Sequence, residues 1–182
     1  MTRNTLLLCL AVAACAGCAS TTTQHFTLDM RPSESASPGQ LAARHFTVAD
    51  ALANMNIPVR TGPTTLEYYE GVQWAGSLED LLKEKFQAEF GASVAADGAR
   101  VIDGHVLAFE QVDLPGGAAE AHCKIEVQVR AAGDSRYAKP LLAKVYDVSS
   151  PMAVVTPGTL TESLSRCVEQ IAAQVRADVA GL

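Results

Sequence analysis

Between residues 119 and 130 the chain alternates without a break. Ala121, Cys123, Ile125, Val127 and Val129 fall on one side, and Glu120, His122, Lys124, Glu126, Gln128 and Arg130 on the other. Side chains along a strand point to opposite faces in turn, so this segment reads as a strand with one apolar and one wet face. Such a strand belongs in an antiparallel sheet covered on a single side, because parallel sheets bury both faces. Residues 101–112 and 141–148 alternate too, and Pro115-Gly116-Gly117 and Gly133-Asp134-Ser135 between the three segments are hairpin-like connections.

Two helices are expected around these strands. Ser77-Leu78-Glu79-Asp80 has the pattern of a capping box, and Leu78, Leu81, Leu82, Phe86 and Phe90 line one helical face that stops at Gly91. A last helix is expected after Pro157-Gly158, with Thr159 or Thr161 as cap and Leu160, Leu164, Cys167, Val168, Ile171, Val175 and Val179 as its apolar stripe. Ahead of the first helix, Phe46 and Val48 alternate with polar neighbours. Ile57-Pro58-Val59-Arg60 and Leu66-Glu67-Tyr68-Tyr69 read as short strands joined by the turn Thr61-Gly62-Pro63, with Pro58 marking an edge or interrupted strand. The expected fold is α+β: a two-layer sandwich of a mostly antiparallel sheet with two principal helices on one face. A domain of about 140 residues can bury close to 70% of its unfolded surface, so it needs neither metal nor disulfide to fold.

The front of the chain reads as an address. Arg3 is the only charge before Asp29, and residues 5–14 are an apolar run ending in small residues, a signal-peptide layout too short to span a bilayer. Three of the five cysteines, Cys9, Cys15 and Cys18, lie in this region. A cysteine after small residues resembles a bacterial lipobox, whose thiol is diacylated and becomes the new N-terminus. Val12-Ala13-Ala14-Cys15 has the branched residue such boxes favour; Cys15-Ala16-Gly17-Cys18 has the Ala-Gly pair and the more ordinary signal length. Cys18 is taken as the attachment residue with Cys15 as the alternative, against a plain secretory signal or a short membrane anchor. The residue after either cysteine is Ala, which resembles the outer-membrane sorting signal of double-membrane bacteria. The chain then divides into a signal at 1–17, a Ser-, Pro- and Gly-rich tether at 18–42 and a domain at 43–182. Within the tether His25-Phe26-Thr27-Leu28 either pairs with a sheet edge or stays disordered. Loss of the leader takes the net charge from −6 to −7 by removing Arg3. That balance excludes nucleic acid and an anionic bilayer as electrostatic partners and leaves membrane attachment to acyl chains.

The expected domain carries no dinucleotide fingerprint, Walker loop, H-E-x-x-H, C-x-x-C or G-x-S-x-G motif, so no cofactor, metal or catalytic residue is assigned. His25, His45, His105 and His122 have no ligand spacing, and His122 falls on the wet face of its strand. Asp97, Asp103 and Asp113 have no spacing that pairs them. Cys123 and Cys167 both fall on buried faces; they are either two separate buried thiols or a disulfide. Residues 66–82 hold the sole tryptophan, Trp74, with Tyr68 and Tyr69. These three are the candidate partner contact, against the reading of Trp74 as a core aromatic that anchors the helix start.

Ile57-Pro58-Val59-Arg60-Thr61-Gly62-Pro63, then Tyr68-Tyr69, then Gln73-Trp74-Ala75 before an amphipathic helix resembles the ABC-type transport auxiliary lipoprotein family, the PqiC-like group. The chain departs from it at Gly76-Ser77, where the family often has an acidic residue and proline. The resemblance implies a non-catalytic docking or assembly subunit of an MCE-type lipid transport system, lipid-anchored at the periplasmic face of the outer membrane. Its implied partners are an MCE-domain periplasmic protein and, through it, an ABC permease and ATPase, with a homo-oligomer as a family-level expectation. The rival readings are a structural envelope-assembly lipoprotein and a tethered periplasmic enzyme.

Overall fold

The structure, a computed structural model, describes residues 22–34, 36, 41–92, 99–135 and 137–182. The signal segment with Cys9, Cys15 and Cys18 lies outside the described residues, as does Asp97. The strands are β1 (Gln24–Phe26), β2 (Leu41–Val48), β3 (Asn56–Arg60), β4 (Leu66–Trp74), β5 (Arg100–Asp113), β6 (Ala119–Ala131) and β7 (Leu142–Met152). The helices are α1 (Leu78–Phe90), between β4 and β5, and α2 (Pro157–Ala180), after β7.

All seven strands form one sheet in the order β1-β4-β3-β5-β6-β7, with β2 also paired to β5. The long antiparallel run β5-β6-β7 follows from the alternating segments and their short connections. Three parallel pairings join it: β1 with β4, and β2 and β3 with β5. β2 and β3 lie end to end along the side of β5 away from β6, and the pairing of β3 with β5 begins only at Val59, just past Pro58. β7 continues four residues beyond the expected end at 148, because Ser149, Ser150, Pro151 and Met152 pair with the start of β6.

β6 places Ala119, Ala121, Cys123, Ile125, Val127 and Val129 on the buried face, as the alternation dictates. β5 keeps to that face only because it bulges at Leu107: Ile102 and Val106 are buried before it and Phe109 after it. Both helices pack on this side and share one core with the sheet. α1 is capped by Ser77, whose hydroxyl accepts from the Asp80 amide at 3.2 Å. α2 starts at Pro157 rather than beyond it, and its cap is Thr156 rather than Thr159 or Thr161. Thr156 Oγ1 accepts from the Thr159 amide, and Thr159 Oγ1 accepts from the Thr156 amide.

The folded unit starts earlier than residue 43. β1 pairs with β4 through Phe26 and Trp74, Leu28 is buried, and the Asp29 amide donates to Ser165 Oγ on α2 at 3.0 Å. The carbonyl of Arg31 accepts from Lys85 Nζ at 2.7 Å, and the Ser33 amide donates to Glu89 Oε1 at 2.8 Å. The segment 24–33 is therefore a strap fastened to both helices, and β2 already begins at Leu41. Its composition is that of a tether, but Phe26, half-buried against the core, and Leu28, buried in it, pin it down.

Candidate interaction surface

β4 sets the three aromatic residues apart. Past the pair Pro58 and Tyr68, β4 bulges, with Gly71 at φ 66°, before pairing resumes at Asn56 and Gln73. Trp74 is 1% exposed, its ring 5.7 Å from Phe109, so it is a core residue. Tyr69 is half-buried and its hydroxyl donates to Gln111 Oε1, while burial raises its pKa above the ordinary value. Tyr68 is 40% exposed and its hydroxyl donates to the carbonyl of Ala51 at 3.0 Å. Of the candidate contact, Tyr68 alone presents much of its ring to solvent.

Next to these residues, the turn Thr61-Gly62-Pro63 and the end of β5 enclose a mainly apolar cleft of about 570 Å³. Arg60, Asp113, Leu114 and Pro115 line it as well. It lies at the end of the motif's first stretch, Ile57 to Pro63, and the exposed Leu114 gives it an apolar wall.

The uncovered face of the sheet carries a ladder of charges. Arg60 on β3 holds Glu110 on β5 with Nε at 2.6 Å and Nη2 at 2.9 Å, a fork on a carboxylate that is almost fully buried. His122 on β6 stands between Glu110, 3.6 Å from its Nδ1, and Asp147 on β7, 2.8 Å from its Nε2; Lys124 also reaches Asp147 at 2.7 Å. The neighbouring carboxylates, Glu110 foremost and then Asp147, raise the His122 pKa against the pull of burial. Burial alone would lift Glu110, but His122 and Arg60 hold it below the usual carboxylate range. A second cluster joins Arg44 and Arg130 to Asp103. Among the described residues no group of His, Cys, Asp and Glu could hold a metal ion.

His122 was legible as a wet-face histidine, but its partners were not, because the bulge at Leu107 decides which β5 carboxylate meets it. Lys85 and Glu89 were missed although they stand four apart on α1. Both are fully buried, and Lys85 Nζ donates to Glu169 Oε1 at 2.8 Å while Arg176 Nη1 lies 3.4 Å from Glu89. Cys123 and Cys167 are free thiols on the faces expected of them. Burial pushes Cys123 well above the ordinary thiol value and Cys167 up to about 11, so both stay protonated and unreactive at neutral pH.

No helix among the described residues is long and apolar enough to cross a membrane. No curated protein matches the chain. Among solved structures, a Xanthomonas campestris protein of the DUF330 family is similar at TM-score 0.63 and 18% identity, over 82% of this chain and 89% of that one. An uncharacterized protein is similar at TM-score 0.61 and 15% identity, over 87% and 99% of the two chains. At these identities the likeness is one of fold. The family model of the ABC-type transport auxiliary lipoprotein component matches residues 26–176, from the end of β1 through most of α2. By that match the chain belongs to the ABC-type transport auxiliary lipoprotein family.

Proposed function

We propose that the protein is a non-catalytic docking or assembly subunit of an MCE-type lipid transport system, held by an acylated Cys18, or Cys15, at the periplasmic face of the outer membrane. The family match over residues 26–176 carries this reading, since it takes in the strap as well as the sheet and helices. Tyr68 and the cleft between Thr61-Gly62-Pro63 and Leu114 form the proposed contact for the MCE-domain protein. The role needs anchoring and docking, and the acidic balance leaves anchoring to lipid. Crosslinking in intact envelopes followed by affinity capture tests the reading. An MCE-domain protein should be recovered, with the yield lowered by Tyr68→Ala; capture that brings down no MCE or ABC component overturns it.

A further inference from the structure

The strand registers bring three connections to one end of the sheet. Asp113 at the end of β5 pairs with Ala119 at the start of β6, and Ala119 with Met152 at the end of β7. Val112 also pairs with Arg60 at the end of β3, and Arg60 with Leu66 at the start of β4. Residues 61–65, 114–118 and 153–156 therefore gather there, and none of them is charged, whereas the connection 132–141 at the opposite end carries Asp134 and Lys139. In a chain of net charge −6, an end without charge is a distinct surface. Its third connection stands out: Val154 and Val155 are 61% and 41% exposed, in a stretch from Val148 to Thr161 that holds no charge. The backbone beneath them is pinned, since Thr159 Oγ1 donates to the Val154 carbonyl at 2.7 Å and accepts from the Thr156 amide at 3.0 Å.

The strap enters the domain from the same end. β1 runs parallel to β4, so the chain before Gln24 points back toward the end where β4 starts. The Phe26 ring lies 4.0 Å from where a Cβ on Gly158 would stand, at the first turn of α2, just past the two valines. Cys18 is six residues before Gln24, at most about 20 Å along the chain. We infer that this end of the domain lies against the bilayer, with Val154 and Val155 entering the boundary between phospholipid headgroups and acyl chains as a second contact beside the acyl anchor. The inference rests on the anchor reading. Two valines bind a membrane weakly by themselves, but an acylated cysteine so near makes the encounter intramolecular, and a weak apolar contact is then occupied. The contact calls on no basic residue, in keeping with the acidic balance of the chain. The Val154 carbonyl already has its donor, so entering the boundary does not leave it unpaired. Leu114 belongs to the cleft between the first two connections, so the docking cleft and the valines lie on opposite sides of the β5–β6 connection.

The test uses the full-length acylated protein in vesicles of phosphatidylethanolamine and phosphatidylglycerol. A nitrobenzoxadiazole label is placed on Val155→Cys or, at the opposite end, on Leu141→Cys, which is also exposed, with the wild type labelled in parallel as background for its own thiols. Flotation reads the anchor. The label at position 155 should emit to the blue of the label at 141 and be quenched by spin-labelled acyl chains. Adding Val154→Asp should return its emission toward that at 141 with an unchanged melting temperature. A wild type that does not float with the vesicles overturns the anchor reading and this inference together. Flotation with a label at 155 that emits and quenches like the one at 141 overturns this inference alone, as does a blue emission that Val154→Asp leaves in place. So does a label shielded in intact envelopes but not in vesicles, because a protein then covers the valines.

Discussion

Gly104 lies under the ring of Phe46, and the fit leaves no room for a side chain. A Cβ built there would stand 2.4 Å from a ring carbon, and the ring cannot retreat because it rests on Phe86 at 4.8 Å between centroids. The glycine is set by close approach, since its backbone is not in the left-handed region. Gly104→Ala should therefore overpack the core and cost about 1–3 kcal/mol in urea unfolding. Adding Phe46→Leu should recover part of that loss, a non-additivity that a double-mutant cycle would read.

The ladder on the open face is a property of four strands held in register. The His122 pKa is raised above 6.5, so its contribution is complete below 6.5 and fades as pH rises through the raised value. The Glu110 pKa is lowered from 4.5, so its contribution is present above 4.5 and lost as pH falls through the lowered value. Together they stabilise most between those two ordinary values. Stability should fall as pH climbs from 6.5 through the raised His122 value, and His122→Gln should flatten that fall in denaturant titrations run at a series of pH values. On the helix side, Lys85→Met would leave Glu89 buried with Ser33 and, among the described cations, Arg176 alone beside it, and would strip the Arg31 carbonyl of its donor. The expected cost is about 3 kcal/mol in urea unfolding, the scale for breaking one partner out of a buried pair. In hydrogen exchange the amides of residues 25–33 should lose protection before those of β5 and β6.

For the whole molecule, period-two alternation and capping signals were enough to give the α+β sandwich, because β6 and both helices each have one apolar face to bury. The parallel pairings were not legible: β2 and β3 lie in line on the same side of β5, a long-range arrangement without a local signal. Trp74 as a core aromatic was among the readings, whereas the ladder around His122 depended on a one-residue bulge that alternation cannot locate. Pairing of residues 25–28 with a sheet edge was among the readings and β1 does so, but the fastening of residues 29–33 to both helices was hidden by composition. Fastening the strap would change how far the domain could travel from an acylated Cys18. With acyl chains on Cys18, the six residues to Gln24 reach at most about 20 Å when fully extended, against about 80 Å for a free run to Leu41. On the proposed anchoring at Cys18 the domain would be on a short leash, and a partner would have to come to the bilayer to meet it.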